Sequence, residues 1–181
     1  MKVIAIVGMP GSGKGEFSTV AKELGIPVVV MGDIIRKEVA RLGRHPTDEN
    51  MGIVARNLRK QHGMAAIAII CIPVITQQNS PIVVVDGIRG DAEVAEFSKA
   101  FSEFYLVSID APLQTRFLRL SERGRSDDLQ DIAELVVRDD RECSFGLGKA
   151  MDLAKVRIEN SGTREEFQKK VRDFLSGMMG Q

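Results

Sequence analysis

The chain has 181 residues, of which 44% are hydrophobic and 28% charged, with 25 Lys+Arg set against 25 Asp+Glu. That length fits one domain, which buries roughly 70% of the surface its unfolded form exposes and needs no staple. The composition excludes a disordered chain. The balanced charge gives no electrostatic reason to expect nucleic acid, so any anion site must come from the local placement of basic groups.

Val3-Ile4-Ala5-Ile6-Val7 is a continuous, mostly β-branched run, the pattern of a strand buried on both faces. A glycine-rich loop, Gly8 to Gly15, follows, and Phe17, Val20, Ala21 and Leu24 then recur at helical spacing up to Gly25. Pro27 to Val30 predicts a second short strand. Ile34 to Leu42 predicts a helix stopped by Gly43, and Thr47-Asp48-Glu49 opens another that runs to His62-Gly63. Met64 to Ile75 is a 12-residue uncharged run containing Pro73. It is expected as a buried helix or helix pair, being well short of the ~20 residues that cross a bilayer. Asn79-Ser80-Pro81 is a turn, and Ile82 to Val85 a third strand.

Asp91 is expected to cap a helix carrying Val94, Ala95, Phe97 and Phe101. Tyr105 to Ile109 is a fourth strand, Pro112 begins a helix, Asp128 to Cys143 forms the next, and Val156 to Ile158 is a fifth strand. Thr163-Arg164-Glu165-Glu166 reads as a capping box before the last helix. Strands alternating with helices predict an α/β domain: a three-layer α/β/α arrangement around a five-stranded parallel sheet. No internal repeat or linker divides it. Residues 34–79 hold helices without a strand and form the expected insertion. Cys71 and Cys143 suit neither a disulfide framework nor a zinc site and are expected as buried or half-buried thiols in a reducing compartment. No secretory leader is legible, and the expected location is the cytoplasm.

In open parallel sheets ligands bind beyond the carboxyl ends of the strands. The first strand runs into Gly8-Met9-Pro10-Gly11-Ser12-Gly13-Lys14-Gly15, a G-x-x-x-x-G-K loop in the strand–loop–helix context of a phosphate cradle. Its glycines let successive N–H groups converge on one point, a helix N-terminus adds partial positive charge there, and Lys14 adds a full one. The Ser or Thr that would follow the lysine and bind magnesium is Gly15, and Glu16 comes next. Magnesium is then held by nucleotide oxygens and water, and Glu16 must turn its side chain away.

After the second strand comes Gly32-Asp33-Ile34-Ile35-Arg36, and after the third Asp86-Gly87-Ile88-Arg89. Two arginines beyond the same sheet edge can clamp a second phosphate, and Asp86 is placed to hold magnesium through water. After the fourth strand the arginines 116, 119, 123, 125, 138 and 141 are interleaved with acids. Most of them read as a salt-bridged solvated face.

These motifs together resemble adenylate kinase and related P-loop nucleoside monophosphate kinases, and an archaeal adenylate-kinase-like branch labelled dephospho-CoA kinase related. The resemblance covers nearly the whole chain in order and implies ATP and Mg²⁺ as cofactors. It implies an ATP site at residues 8–16 (Gly8, Met9, Pro10, Gly11, Ser12, Gly13, Lys14, Gly15, Glu16), with Arg36, Arg89 and Asp33 on the acceptor. It also implies a helical acceptor-binding subdomain at 34–79 and a short lid at about 119–130. Lys14, Arg119, Arg123, Arg138 and Asp86 are its catalytic set. In related kinases the loop Glu159 to Thr163 lies against adenine. Glu16 departs from the family's Thr or Ser. The expected activity is transfer of the γ-phosphate of ATP to a nucleoside monophosphate or similar small nucleotide. Its rivals are transfer to a hydroxyl, with Asp33 as base, and a regulatory or assembly ATPase. True dephospho-CoA kinases space the aspartate and arginine by four, whereas Asp33 and Arg36 are three apart. A GTPase is disfavoured by the lack of an N-K-x-D motif. A small-molecule acceptor is the expected partner, with no membrane, and nucleic acid is disfavoured by one tyrosine and no tryptophan. The sequence leaves the oligomeric state open.

Overall fold

The computed structural model describes residues 1–122 and 131–180. Five parallel strands, β1 (Lys2–Val7), β2 (Val28–Val30), β3 (Ile82–Asp86), β4 (Glu103–Asp110) and β5 (Val156–Glu159), form one sheet in the order β2-β3-β1-β4-β5. β1 is central, pairing with β3 from Lys2 opposite Ile82 and with β4 from Lys2 opposite Glu103.

Side-chain alternation along β1 divides the core. Val3, Ala5 and Val7 face one cluster and Ile4 and Ile6 the other, all five fully buried. The second cluster is closed by α1 (Lys14–Glu23) and α9 (Arg164–Met179), through Phe17, Val20, Phe167, Val171 and Leu175. The first is closed by α2 (Met31–Arg41), α3 (Asp48–His62), α4 (Ala66–Thr76), α5 (Asp91–Ala100) and α8 (Leu147–Asp152). Helices on both faces explain why the central strands read as unbroken apolar runs. α6 (Leu113–Ser121) and α7 (Ile132–Ser144) complete the described helices.

The helix ends follow their chemistry. Thr47 caps α3 by accepting the Asn50 N–H at 3.2 Å, and Thr163 and Glu166 form the expected capping box of α9. Several expectations are corrected. α2 begins at Met31, directly from β2, rather than at Ile34. Asp91 is not the cap of α5: Gly90 holds that position in extended backbone, and Asp91 is the first helical residue. α7 is capped by Asp131, whose Oδ1 accepts the Ala133 N–H at 3.0 Å; the expected start at Asp128 lies outside the described residues. α8 was not anticipated; it starts after Gly146, whose φ of 97° is left-handed. α4 is not buried all round, since Ile69 and Ile70 are 48% and 39% exposed, and Cys143 is exposed rather than buried or half-buried, whereas Cys71 is buried.

Between β2 and β3 lie α2, α3 and α4 and no strand. Among the described residues no single helix is long and apolar enough to cross a membrane.

Candidate functional site

The loop Gly8–Gly13 leaves β1 at its carboxyl end and enters α1 through Gly13. It is folded around its own backbone: the Ser12 N–H donates to Met9 O at 3.1 Å, and the Glu16 and Phe17 amides donate to Gly13 O at 3.0 and 3.1 Å. Lys14 Nζ donates to Gly8 O at 2.6 Å and Met9 O at 3.1 Å. At the start of a helix the Lys14 and Gly15 amides have no intrahelical acceptor. A side chain at Gly13, where φ is 109°, would collide with Asn160 Nδ2, and a Cβ on Gly8 would stand 2.6 Å from Ile109 O. Neither position admits a side chain. Burial pushes the Lys14 ammonium from its ordinary 10.5 down to about 8; Arg89 and Arg116 add to this, while Asp86 and Glu142 oppose it.

Three long-range contacts hold the loop. Asn160, 4% exposed, donates from Nδ2 to Ser12 O at 2.8 Å. Arg116, 5% exposed, donates to Pro10 O at 3.1 Å and Ala111 O at 3.2 Å, and bridges Asp139 of α7 at 3.0 and 2.6 Å. Glu16 turns away from the loop, as expected, onto Arg164 (3.0 Å) and Gln168 of α9.

A cavity of about 200 Å³ lies over the loop. Gly8, Pro10, Gly11 and Lys14 line it from the loop side, Arg89 from beyond β3, and Arg138 and Glu142 from α7. Arg89 Nη1 donates to Glu142 Oε2 at 2.6 Å. Asp86 ends β3 next to the loop, and its Oδ2 accepts the buried Ser18 hydroxyl at 2.8 Å. The structure therefore brings together the loop, Lys14, Asp86, Arg89 and Arg138.

Other expected residues stand elsewhere. Arg36 is half-exposed and pairs with Asp33 one turn away on α2, and neither lines the cavity. Arg119 does not reach it either: its Nη2 donates to Asn160 O and Oδ1 at 3.2 and 3.0 Å, placing it beside the loop after β5. Arg123 and the lid from residue 123 to 130 lie outside the described residues. Ser18, Arg116, Glu142 and Asn160 are the positions whose roles sequence reasoning missed. Each depends on a partner distant in sequence; only Asn160, in a turn after a strand, carried a local signal.

The residues fit a nucleotide triphosphate tail. Ser12 Oγ is buried beside the cradle without a hydrogen-bond partner, and it is a donor a phosphate oxygen can accept. Among the described residues no group of three or more His, Cys, Asp or Glu could hold a metal alone. A magnesium ion at the cradle would therefore take most of its ligands from nucleotide oxygens and water.

Comparison with known proteins places the chain in a family and beside solved structures of the same fold. A family described as AAA domain matches residues 7–136. A UPF0200 protein of Methanosarcina mazei is 54% identical over 99% of this chain and 96% of its own, and one of Methanoregula boonei is 50% identical over 98% of each. Among solved structures, TT1252 of Thermus thermophilus superposes with a TM-score of 0.63 at 18% identity, covering 97% of both chains. A shikimate kinase of Aquifex aeolicus gives 0.53 at 19% identity over 98% of both, and a gluconokinase of Sinorhizobium meliloti 0.58 at 15% over 98% and 93%. These likenesses carry the fold alone, a three-layer α/β domain around a parallel sheet. The chain belongs to the UPF0200 family, whose members it matches over nearly its whole length, and it carries an AAA domain over residues 7–136.

Proposed function

We propose that this chain is an ATP- and Mg²⁺-dependent kinase that moves the γ-phosphoryl group to a nucleoside monophosphate or similar small nucleotide. The observation that supports it is the convergence of the loop, Lys14, Arg89 and Arg138 on one cavity at the carboxyl edge of the sheet. ATP with Mg²⁺ supplies the transferable group and the divalent charge that offsets it. The loop amides and Ser12 Oγ hold phosphate oxygens, and Lys14 exchanges the Gly8 and Met9 carbonyls for them. Asp86, oriented by Ser18, holds the hydrated metal. Arg138 neutralises charge on the moving group, and Arg89 holds the acceptor side. Arg119, directed at Asn160, serves the base end of the nucleotide rather than the transferring group, and Arg123 joins the catalytic set on its sequence position alone. The helices between β2 and β3 form the acceptor-binding unit and residues 119–130 the lid. A phosphate acceptor needs no base, so positioning and charge do the catalysis.

One observation favours a hydroxyl acceptor as second reading. Glu142, 6% exposed in the wall of the same cavity, is a carboxylate placed to take a hydroxyl proton, whereas Asp33 is not. A phosphotransfer screen with ATP against AMP, other monophosphates, dephospho-CoA and shikimate separates the two. Transfer to monophosphates, abolished by Lys14→Ala, is the expected result. Transfer to hydroxyl acceptors alone selects the second reading, and absence of ATP binding refutes both.

A further inference from the structure

A second cavity, of about 230 Å³, adjoins the first and shares Arg89 with it. Its walls come from Arg59 of α3, Met64, the start of α5 and Phe145 at the end of α7. The two sides are pressed together: a Cβ on Gly90 would stand 2.7 Å from Phe145 O. Glu93 lines this cavity at 2% exposure, accepting the Arg89 N–H at 2.8 Å and Arg59 Nη2 at 3.2 Å. The Arg59 side chain is 11% exposed, and its guanidinium lies 5.8 Å from the centroid of the Phe145 ring.

A buried ion pair is costly and gives no net stability over an apolar pair of the same size, so its presence at a cavity wall asks for a reason. Among the described residues Glu93 accepts the one hydrogen bond that the Arg59 guanidinium makes. The fork keeps further N–H donors for the oxygens of an anion. Phe145 and Met64 offer an apolar wall beside it. Asp91 and Glu93 offset Arg59 and Arg89 in the lining, so the pocket has no surplus positive charge for a polyphosphate, and a small anion is recognised there by the directed donors of Arg59. Arg36, which pairs with Asp33, lines neither cavity.

We propose that this second cavity is the acceptor pocket, taking a small molecule whose single phosphate or carboxylate is gripped by Arg59 and whose flat or apolar body lies against Phe145 and Met64. The reacting oxygen passes Arg89 into the loop cavity, where the nucleotide chain ends. The inference rests on the kinase reading above and replaces Arg36 by Arg59 as the partner of Arg89.

The test is calorimetric titration of the full chain, first with ADP and then, with ADP bound, with AMP as the phosphate-bearing probe and shikimate as the carboxylate-bearing one. One probe is expected to bind, and which one identifies the anion. Arg59→Met should weaken that probe about 10- to 100-fold, the loss expected for hydrogen bonds to a charged group, while ADP binding is retained. Should Arg59→Met fail to fold because Glu93 is left unpaired, the double variant Arg59→Met/Glu93→Gln removes both charges and carries the same test. An unchanged probe affinity in these variants, a loss confined to Arg36→Met, or no binding of either probe to an ADP-bound wild type would overturn the pocket. Failure of the wild type to bind ADP would instead refute the kinase reading.

Discussion

Raising the pH should weaken nucleotide binding through Lys14 and leave a measurable proton count. In the free protein burial holds this ammonium at about 8 instead of its ordinary 10.5. Phosphate oxygens around Nζ favour the charged form and restore the higher value on binding. At pH 9 the free protein then carries the lysine ~0.9 deprotonated, and at pH 7 only ~0.1, so binding takes up close to one proton at pH 9 and almost none at pH 7. The full difference corresponds to about 3 kcal/mol, and affinity should fall roughly tenfold per pH unit between 8 and 10. The assay is calorimetry of a non-hydrolysable ATP analogue in buffers of different ionisation enthalpy, which yields proton uptake directly. Lys14→Met should bind weakly and take up none. No uptake by the wild type at pH 9, or equal uptake by the variant, would refute the assignment. The same shift has an opposite sign for the free fold. Between about 8 and 10.5 the unfolded chain holds the extra proton, so this lysine's cost is complete below 8 and is relieved as pH rises through that window.

Other outcomes follow from the contacts around the loop. Arg116→Met strands Asp139 and releases Pro10 O; a loss of about 3 kcal/mol is expected, seen as a fall of roughly 6–12 °C in Tm, with Arg116→Met/Asp139→Asn recovering part of it. Asn160→Ala unties Ser12 and removes the side-chain acceptor of Arg119, leaving it only the backbone carbonyl; ATP affinity measured by titration should fall roughly tenfold, and an unchanged value would show that the loop holds its shape alone. Ser18→Ala frees the Asp86 carboxylate and should reduce the gain in ATP affinity that magnesium provides while leaving metal-free affinity nearly intact, compared by titration with and without the metal.

What was legible in the sequence was local. The β1 run, the spacing of the loop glycines and Lys14, Asp86 at the end of an apolar strand and the Thr163–Glu166 capping box are each set by residues within a turn or two of one another. The parallel sheet followed from the alternation of elements. The pairings that assemble the site were not legible. Arg59 with Glu93, Arg116 with Asp139, and Asn160 with Ser12 are 34, 23 and 148 residues apart. A charged residue at such a position reads as solvated surface until the fold buries it. Arg36 shows the converse: Asp33, three residues before it on the same helix, takes up its charge, and the spacing that suggested an acceptor clamp also describes a local ion pair.

The central strand has a consequence for motion. Val3 to Val7 are sealed from solvent on both faces, and Val3 to Ile6 are paired with a strand on either side. Their amides should exchange with deuterium only when the whole domain opens. The phosphate cradle is mounted on this rigid seat. Because α2–α4 share that sealed core with the strand, any adjustment around the cradle falls to side chains and to elements outside the core rather than to the sheet or the helices packed on it.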